Sequence, residues 1–128
     1  MSTRSYIGKE QADGSIKYIY CHFDGYESGV GRMLKEYYQD ESLVDKLISL
    51  GSISSLEKRL EPSEGEQHDF DHPLSDVTVA YHRDRGEDLD IYTDSEEGFL
   101  EDSYMYCYLY RNGEWLIRRP GEEALEKF

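Results

Sequence analysis

Tyr104-Met105-Tyr106-Cys107-Tyr108-Leu109-Tyr110 places four tyrosines on one side of an extended chain and Met105, Cys107 and Leu109 on the other. Both sides are apolar enough to need cover, so this run reads as a strand with packing on each face. Asn112-Gly113 then suits a type I′ turn, joining the run to a second strand over Trp115–Arg118. The remaining elements must supply what covers this hairpin.

Upstream, Ser5–Lys9 reads as a short strand, Ala12-Asp13-Gly14-Ser15 as a turn, and Ile16–Phe23 as an alternating strand. Val30, Met33, Leu34 and Tyr37 recur at helical spacing, which predicts an amphipathic helix over about 29–38 with Ser28 as its cap. Leu43, Val44, Leu47 and Ile48 predict a second helix from Glu41 to Leu50, stopped by Gly51. Ser54-Ser55-Leu56-Glu57 has the spacing of a capping box and suggests one more helical turn. Glu61–Asp76 holds Pro62, Gly65 and Pro73, lacks periodicity and reads as a mobile acidic surface loop. Val77–His82 and Leu89–Thr93 read as strands around the charged loop Arg83–Asp88. Ser95–Asp102 suggests a short helix or turn, and Gly121–Phe128 a helical turn or a frayed tail. Strands and helices in blocks point to an α+β domain: an antiparallel β-sheet of about five to six strands with two helices packed on one face.

With 128 residues, the chain is one domain's worth of polymer and long enough for one core. It lacks an apolar run of membrane-spanning length and an apolar leader after Met1, so the expected setting is the cytoplasm. Cys21 and Cys107 fall inside strand-like runs, without the paired spacing of a metal site, and read as buried thiols. No phosphate-cradling glycine loop, serine elbow or zinc signature is present, and no cofactor is expected.

The net charge of −14 argues against direct binding to nucleic acid or to an anionic membrane. It is also uneven. Glu57–Asp102 contains 16 acidic and 4 basic residues, whereas the rest of the chain has 12 and 10. Aromatic residues make up 13% of the chain, and 12 of them are tyrosine, which sets it apart from acidic chains that stay unfolded.

Four clusters could carry chemistry. Tyr104, Tyr106, Tyr108 and Tyr110 suit a partner interface, since each ring brings a large area and a hydroxyl that tolerates water; at least two of them are expected to lie under the helices as ordinary core. His22 and Asp24 share a strand face as a base and its orienter would, while Cys21 points the other way; a packed strand end followed by an Asp-Gly turn has the same residues. His82-Arg83-Asp84-Arg85-Gly86-Glu87-Asp88 offers Arg83 and Arg85 as a clamp for a phosphate or a carboxylate, or a turn whose salt bridges satisfy one another. His68-Asp69-Phe70-Asp71-His72 has donors suited to a divalent metal, but lies in a segment too poorly held to position them, so no metal site is assigned.

Thr3-Arg4-Ser5-x-Ile7-Gly8, Ile19-Tyr20-Cys21-His22-Phe23-Asp24-Gly25-Tyr26, Gly29-Val30-Gly31, Leu47-Ile48-x-Leu50-Gly51-x-Ile53-Ser54-Ser55-Leu56 and Val79-x-Tyr81-His82-Arg83-Asp84-Arg85-Gly86-Glu87 together resemble a family of small uncharacterised proteins of phages, prophages and other mobile elements. The resemblance covers the first 56 residues and the strip near 79–88. Phe23 stands where Trp is expected and Ser52 where Asp is expected. It implies a genomic setting, and no catalytic role passes to any residue.

Three expectations follow. The first is an acidic interaction protein that engages a host protein through that protein's basic, nucleic-acid-binding surface, with residues 57–102 mimicking a phosphate backbone in an anti-defence role. On this reading Arg83, Asp84, Arg85, Glu87, Asp88 and the four tyrosines of 104–110 make the contact, and a second copy of the chain is a further partner to consider. The second is a nucleotide or small-ligand binder built on Arg83, Arg85 and nearby tyrosines. The third is a hydrolase using His22, Asp24 and His82.

Overall fold

The computed structural model describes residues 3–128. β1 (Ser5–Glu10) turns back into β2 (Ile16–Cys21), pairing antiparallel from Ser5↔Cys21 to Glu10↔Ile16. Of the Asp13-Gly14 pair, only Gly14 takes a positive φ, +87°. Asp13 instead holds the turn with its carboxylate, accepting from the Ser15 N–H at 3.0 Å. β2 stops two residues short of Phe23 because Asp24 swings to φ +57° and leads the chain away from the sheet.

The next turn differs in kind from the helix the spacing predicts. Glu27–Gly31 forms a wide π-type turn, and only then does α1 (Arg32–Tyr37) begin. Ser28 lies inside this turn and caps nothing. The turn is anchored instead by the Val30 N–H, which donates to the Asp24 carbonyl at 2.8 Å. α2 (Glu41–Ser49) follows the sequence pattern closely. Asp40 caps it by accepting the Ser42 N–H, Gly51 closes it at φ +75°, and Val44, Leu47 and Ile48 are its buried face.

Where a capping box suggests a helical turn, β3 (Ile53–Ser55) is a strand parallel to β2. The His22 and Phe23 N–H groups donate to the Ile53 and Ser54 carbonyls at 3.1 and 3.0 Å, a tertiary demand that outweighs local capping. β4 (Val79–Ala80) pairs with β3 and gives way at once to α3 (Tyr81–Arg85), where the sequence suggests strand to His82. β5 (Tyr92–Asp94) pairs with β2, and α4 (Glu96–Phe99) is capped by Ser95, whose Oγ accepts the Gly98 N–H. β6 (Tyr106–Arg111) and β7 (Glu114–Arg118) form the expected hairpin, with Asn112 at φ +52° and Gly113 at φ +79°. β8 (Glu126–Lys127) adds a last short strand where the sequence suggests a helical turn or fraying.

The fold is α+β, and its sheet departs from expectation in size and direction. Eight strands join one sheet in the order β4-β3-β2-β1-β6-β7-β8, with β5 also on β2. The sheet is mixed, since β1–β6 and β2–β3 are parallel. The helices are not gathered on one face either. One core packs Ile7, Ile19, Cys21, Tyr108 and Ile117 with Leu34 of α1 and Val44 and Leu47 of α2. A second core gathers Ile16, Cys107, Leu109 and Met105 with Phe99 of α4. Both sides of β6 are therefore buried, as its two apolar faces require.

Gly8 makes room for this second core. A Cβ there would stand 2.8 Å from Ile16 and 3.1 Å from the Phe99 ring. Arg118, 2% exposed, closes the same side by donating to the carbonyls of Leu100, Asp102 and Met105. It thereby fixes the segment between α4 and β6. Cys21 and Cys107 are free thiols on opposite faces of the sheet. Burial pushes the Cys21 thiol up to about 12 and Cys107 up to about 11, the second offset in part by Arg118. Among the described residues, no helix is long and apolar enough to cross a membrane.

Candidate interaction surface

Arg83 and Arg85, paired in sequence as a clamp, diverge in space. Arg83 turns inward: its Nε and Nη2 donate to the Asp84 carboxylate at 2.8 and 2.9 Å, its Nη2 to the Thr78 carbonyl at 2.7 Å, and its Nη1 to the Leu60 carbonyl. Asp84 is the hub of this corner. Its Oδ2 also accepts the Ala80 N–H at 2.8 Å, which holds the start of α3. Burial is the largest influence on its carboxyl and acts upward, but Arg83 and the Ala80 N–H together bring it below the usual aspartate range.

The same hub gathers the acidic segment 61–76. The His68 side chain is 1% exposed and Asp84 4%, and their Nε2 and Oδ2 lie 3.3 Å apart. His68 Nδ1 accepts the Leu74 N–H at 3.0 Å, so the ring proton sits on Nε2 and is donated to Asp84. The Phe70 N–H donates to the Asp84 carbonyl, and Arg59 bridges Glu66 and Asp76. His72 stays outside, paired with Asp69. His68 and His72 thus face different partners. Among the described residues, no group of three or more His, Cys, Asp or Glu is gathered where it could hold a metal ion.

Arg85 remains at the surface. Its guanidinium lies 4.7 Å over the Phe70 ring and its Nε is 3.2 Å from Glu87. The cleft beside it, of volume ≈ 460 Å³, is lined by Asp69, Phe70, Asp71, His72, Asp84 and Arg85. One guanidinium there faces three carboxylates, a poor seat for a phosphate. Asp88 is exposed.

The tyrosines of 104–110 separate by depth. Tyr108 and Tyr110 are core, their hydroxyls donating to the carbonyls of Gly25 (2.7 Å) and Gln39 (3.0 Å). Burial pushes the Tyr108 phenol far up. Tyr106 is half-buried and stacks on Tyr108, whereas Tyr104 stands before the strand and is 88% exposed. His22, Asp24 and His82 go to separate partners. His22 Nδ1 meets the Tyr20 hydroxyl at 2.7 Å, Asp24 accepts from the Tyr26 hydroxyl at 3.2 Å, and His82 Nδ1 meets the Glu87 carbonyl at 2.7 Å.

A different aromatic surface emerges on the side of the second core. α4 covers Gly8, Cys107 and Leu109 but leaves the neighbouring rings of β1, β2 and β5 half open. Tyr6 packs edge-on against Tyr18 at 5.1 Å and Tyr20 at 6.4 Å; Tyr18 meets Tyr92 at 5.4 Å; Phe99 backs Tyr6 and Tyr18 from below. Tyr92 is 42% exposed and Phe23, beyond His22, is also exposed. The ends of α4 bring charge to this strip. Burial raises the Tyr6 phenol, with Asp102 adding to the rise; burial likewise raises Tyr18, followed by Tyr6 and Asp94. At the Tyr20 end Arg4 acts oppositely, lowering a phenol that burial raises.

Asp88, Asp90, Asp94, Glu97, Glu101 and Asp102 are all exposed, and among the described residues none forms an ion pair. The nearest acidic neighbours in sequence, Glu87 and Glu96, are paired to Arg85 and Arg111. The sequence reading missed this strip because its rings come from β1, β2 and β5, which only the register brings together. The signal available was the Tyr18/Tyr20 alternation in Ile16–Phe23. Comparison with protein-family models, curated proteins and solved structures finds no match to the chain.

Proposed function

We propose that the protein binds a cationic surface of another protein, using the unpaired carboxylates of 88–102 beside the tyrosine strip. The observation that carries this is the asymmetry of pairing. Lys9, Arg59, Arg83, Arg111 and Arg119 are each tied to carboxylates of their own chain, yet the run from Asp88 to Asp102 keeps most of its charge exposed. Asp94 on β5 and Glu97 on the capped helix α4 are presented at fixed positions and lose little freedom on binding. They would steer a basic partner and make its capture sensitive to salt. In the mobile-element setting that the sequence resemblance implies, the partner is a host protein whose basic face otherwise holds nucleic acid, and occupancy would exclude the nucleic acid.

Asp90→Asn, Asp94→Asn, Glu97→Gln and Asp102→Asn combined, titrated with a basic protein by calorimetry, test this. Surface pairs contribute about 0.3–1 kcal/mol each, so the four together should weaken binding about tenfold or more. Neutralising Glu61, Glu64 and Asp71 instead should leave affinity within about twofold. Equal losses from both sets would mean that only net charge matters, and would overturn the assignment to 88–102.

A further inference from the structure

We propose that the strip Tyr92–Tyr18–Tyr6 is a seat for arginine side chains of the partner and prefers arginine to lysine; this rests on the reading of 88–102 as a surface for cationic proteins. Three features of the strip lead to it. The rings are preassembled: Tyr6, Tyr18 and Tyr92 touch in sequence at 5.1 and 5.4 Å, and Phe99 supports two of them from the core side. Little side-chain freedom remains to be lost when something lies on them. Carboxylate accompanies the rings: Asp94 lies two residues on from Tyr92 in β5, opposite Ile16 and so on the same face, and Asp102, after α4, adds to the rise of the Tyr6 phenol. Both are fixed by local bonds, Asp94 to the Ser95 N–H at 2.7 Å and Asp102 to the Tyr104 N–H at 3.0 Å. Arg118 further holds the Asp102 carbonyl at 2.7 Å. Charge also differs along the strip: Arg4 lowers the phenols of Tyr20 and Tyr6, whereas Asp94 raises that of Tyr18.

Arginine fits this combination better than lysine. A guanidinium is planar and weakly hydrated, so it lies on an aromatic face while its edge still donates to carboxylates in the same plane. An ammonium on a tyrosine ring keeps more of its hydration and donates from a single point. The protein pairs ring and carboxylate with a guanidinium within its own fold, where Arg85 lies 4.7 Å over Phe70 and its Nε forms an ion pair with Glu87 at 3.2 Å. Beside the tyrosine strip, ring and carboxylate are both present and the guanidinium would come from outside.

The test uses the full chain and two synthetic peptides of equal length, one spaced with arginines and one with lysines at the same positions. Fluorescence anisotropy of labelled peptide at about 0.15 M salt gives both affinities. The arginine peptide should bind about fivefold or more tightly, a difference of roughly 1 kcal/mol. Tyr92→Leu should erase the preference and leave lysine-peptide binding nearly unchanged. Asp94→Asn with Asp102→Asn keeps the acceptors of the Ser95 and Tyr104 N–H groups and should weaken both peptides. Equal affinity for the two peptides in the parent chain, or a preference that survives Tyr92→Leu, overturns the arginine seat while the cationic-surface reading stands. No binding of either peptide at low salt overturns both. Tyr92 is exposed on a three-residue strand, so its replacement should preserve the fold; unchanged Trp115 fluorescence verifies this.

Discussion

Single residues decide whether the second face of the sheet can exist. Gly8 lies on β1 directly between β2 and β6, and the space over it belongs to Ile16, Tyr18 and Phe99. Gly8→Ala should cost about 1–3 kcal/mol, because a methyl at 2.8 Å from Ile16 forces the strip rings or α4 to move. Urea unfolding followed by the fluorescence of Trp115, the single tryptophan, whose indole donates to the Tyr38 carbonyl, measures this directly. A stability within about 0.5 kcal/mol of the parent would mean that Phe99 is not held over Gly8. Nothing local marked Gly8, since a glycine in a strand is ambiguous until its neighbours on both sides are known. Tyr108 and Tyr110 were easier. Their alternation with Cys107 and Leu109 places them on a covered strand but leaves open which of the four tyrosines are core; the structure buries these two and shows which carbonyls their hydroxyls reach.

At the scale of elements, the corner around α3 shows how a segment without periodicity can be held. Residues 61–76 form no helix or strand, yet His68 and Phe70 tie the segment to Asp84, and Arg59 holds its Glu66 and Asp76. Asp84→Asn keeps an acceptor for the Ala80 N–H but removes the charge facing Arg83, and should destabilise this corner by about 2 kcal/mol. Limited proteolysis should then cut first within 61–76. The same corner should respond to acid. The Asp84 carboxyl is held below its ordinary 3.8, so its contribution is complete above that value and fades as pH falls through the lower folded value. Amide exchange that leaves the Ala80 and Leu74 amides equally protected on both sides of that range would contradict the hub. The sequence showed α2 almost to its ends because its cap, its apolar stripe and its stop are all local. It hid β3 because the parallel pairing to β2 is tertiary, and α3 because the Asp84 carboxylate that starts it by a local bond to Ala80 is also held by distant His68. In Val77–His82, β-branched residues read as strand until Asp84 reaches back and starts a helix.

Across the whole molecule, the order of strands could not be read from the chain. β1 lies between β2, its hairpin partner, and β6, which is about a hundred residues away and runs parallel to it. No turn signal encodes such a pairing. Excess charge over 57–102 was legible, but its presentation was not. Glu66, Asp76 and Asp84 are consumed around Arg59 and Arg83, while the carboxylates from Asp88 to Asp102 other than Glu96 carry no ion pair among the described residues, and Asp94 and Asp102 act on the Tyr18 and Tyr6 phenols. That arrangement is the account's centre, and amide chemical shifts of the isotope-labelled protein during titration with the arginine peptide test it most directly. Shifts should be confined to Tyr6, Tyr18, Tyr20 and the stretch from Tyr92 to Asp102, and should fade as salt rises to about 1 M. Shifts centred on 61–76, or spread evenly over every acidic residue, would contradict it.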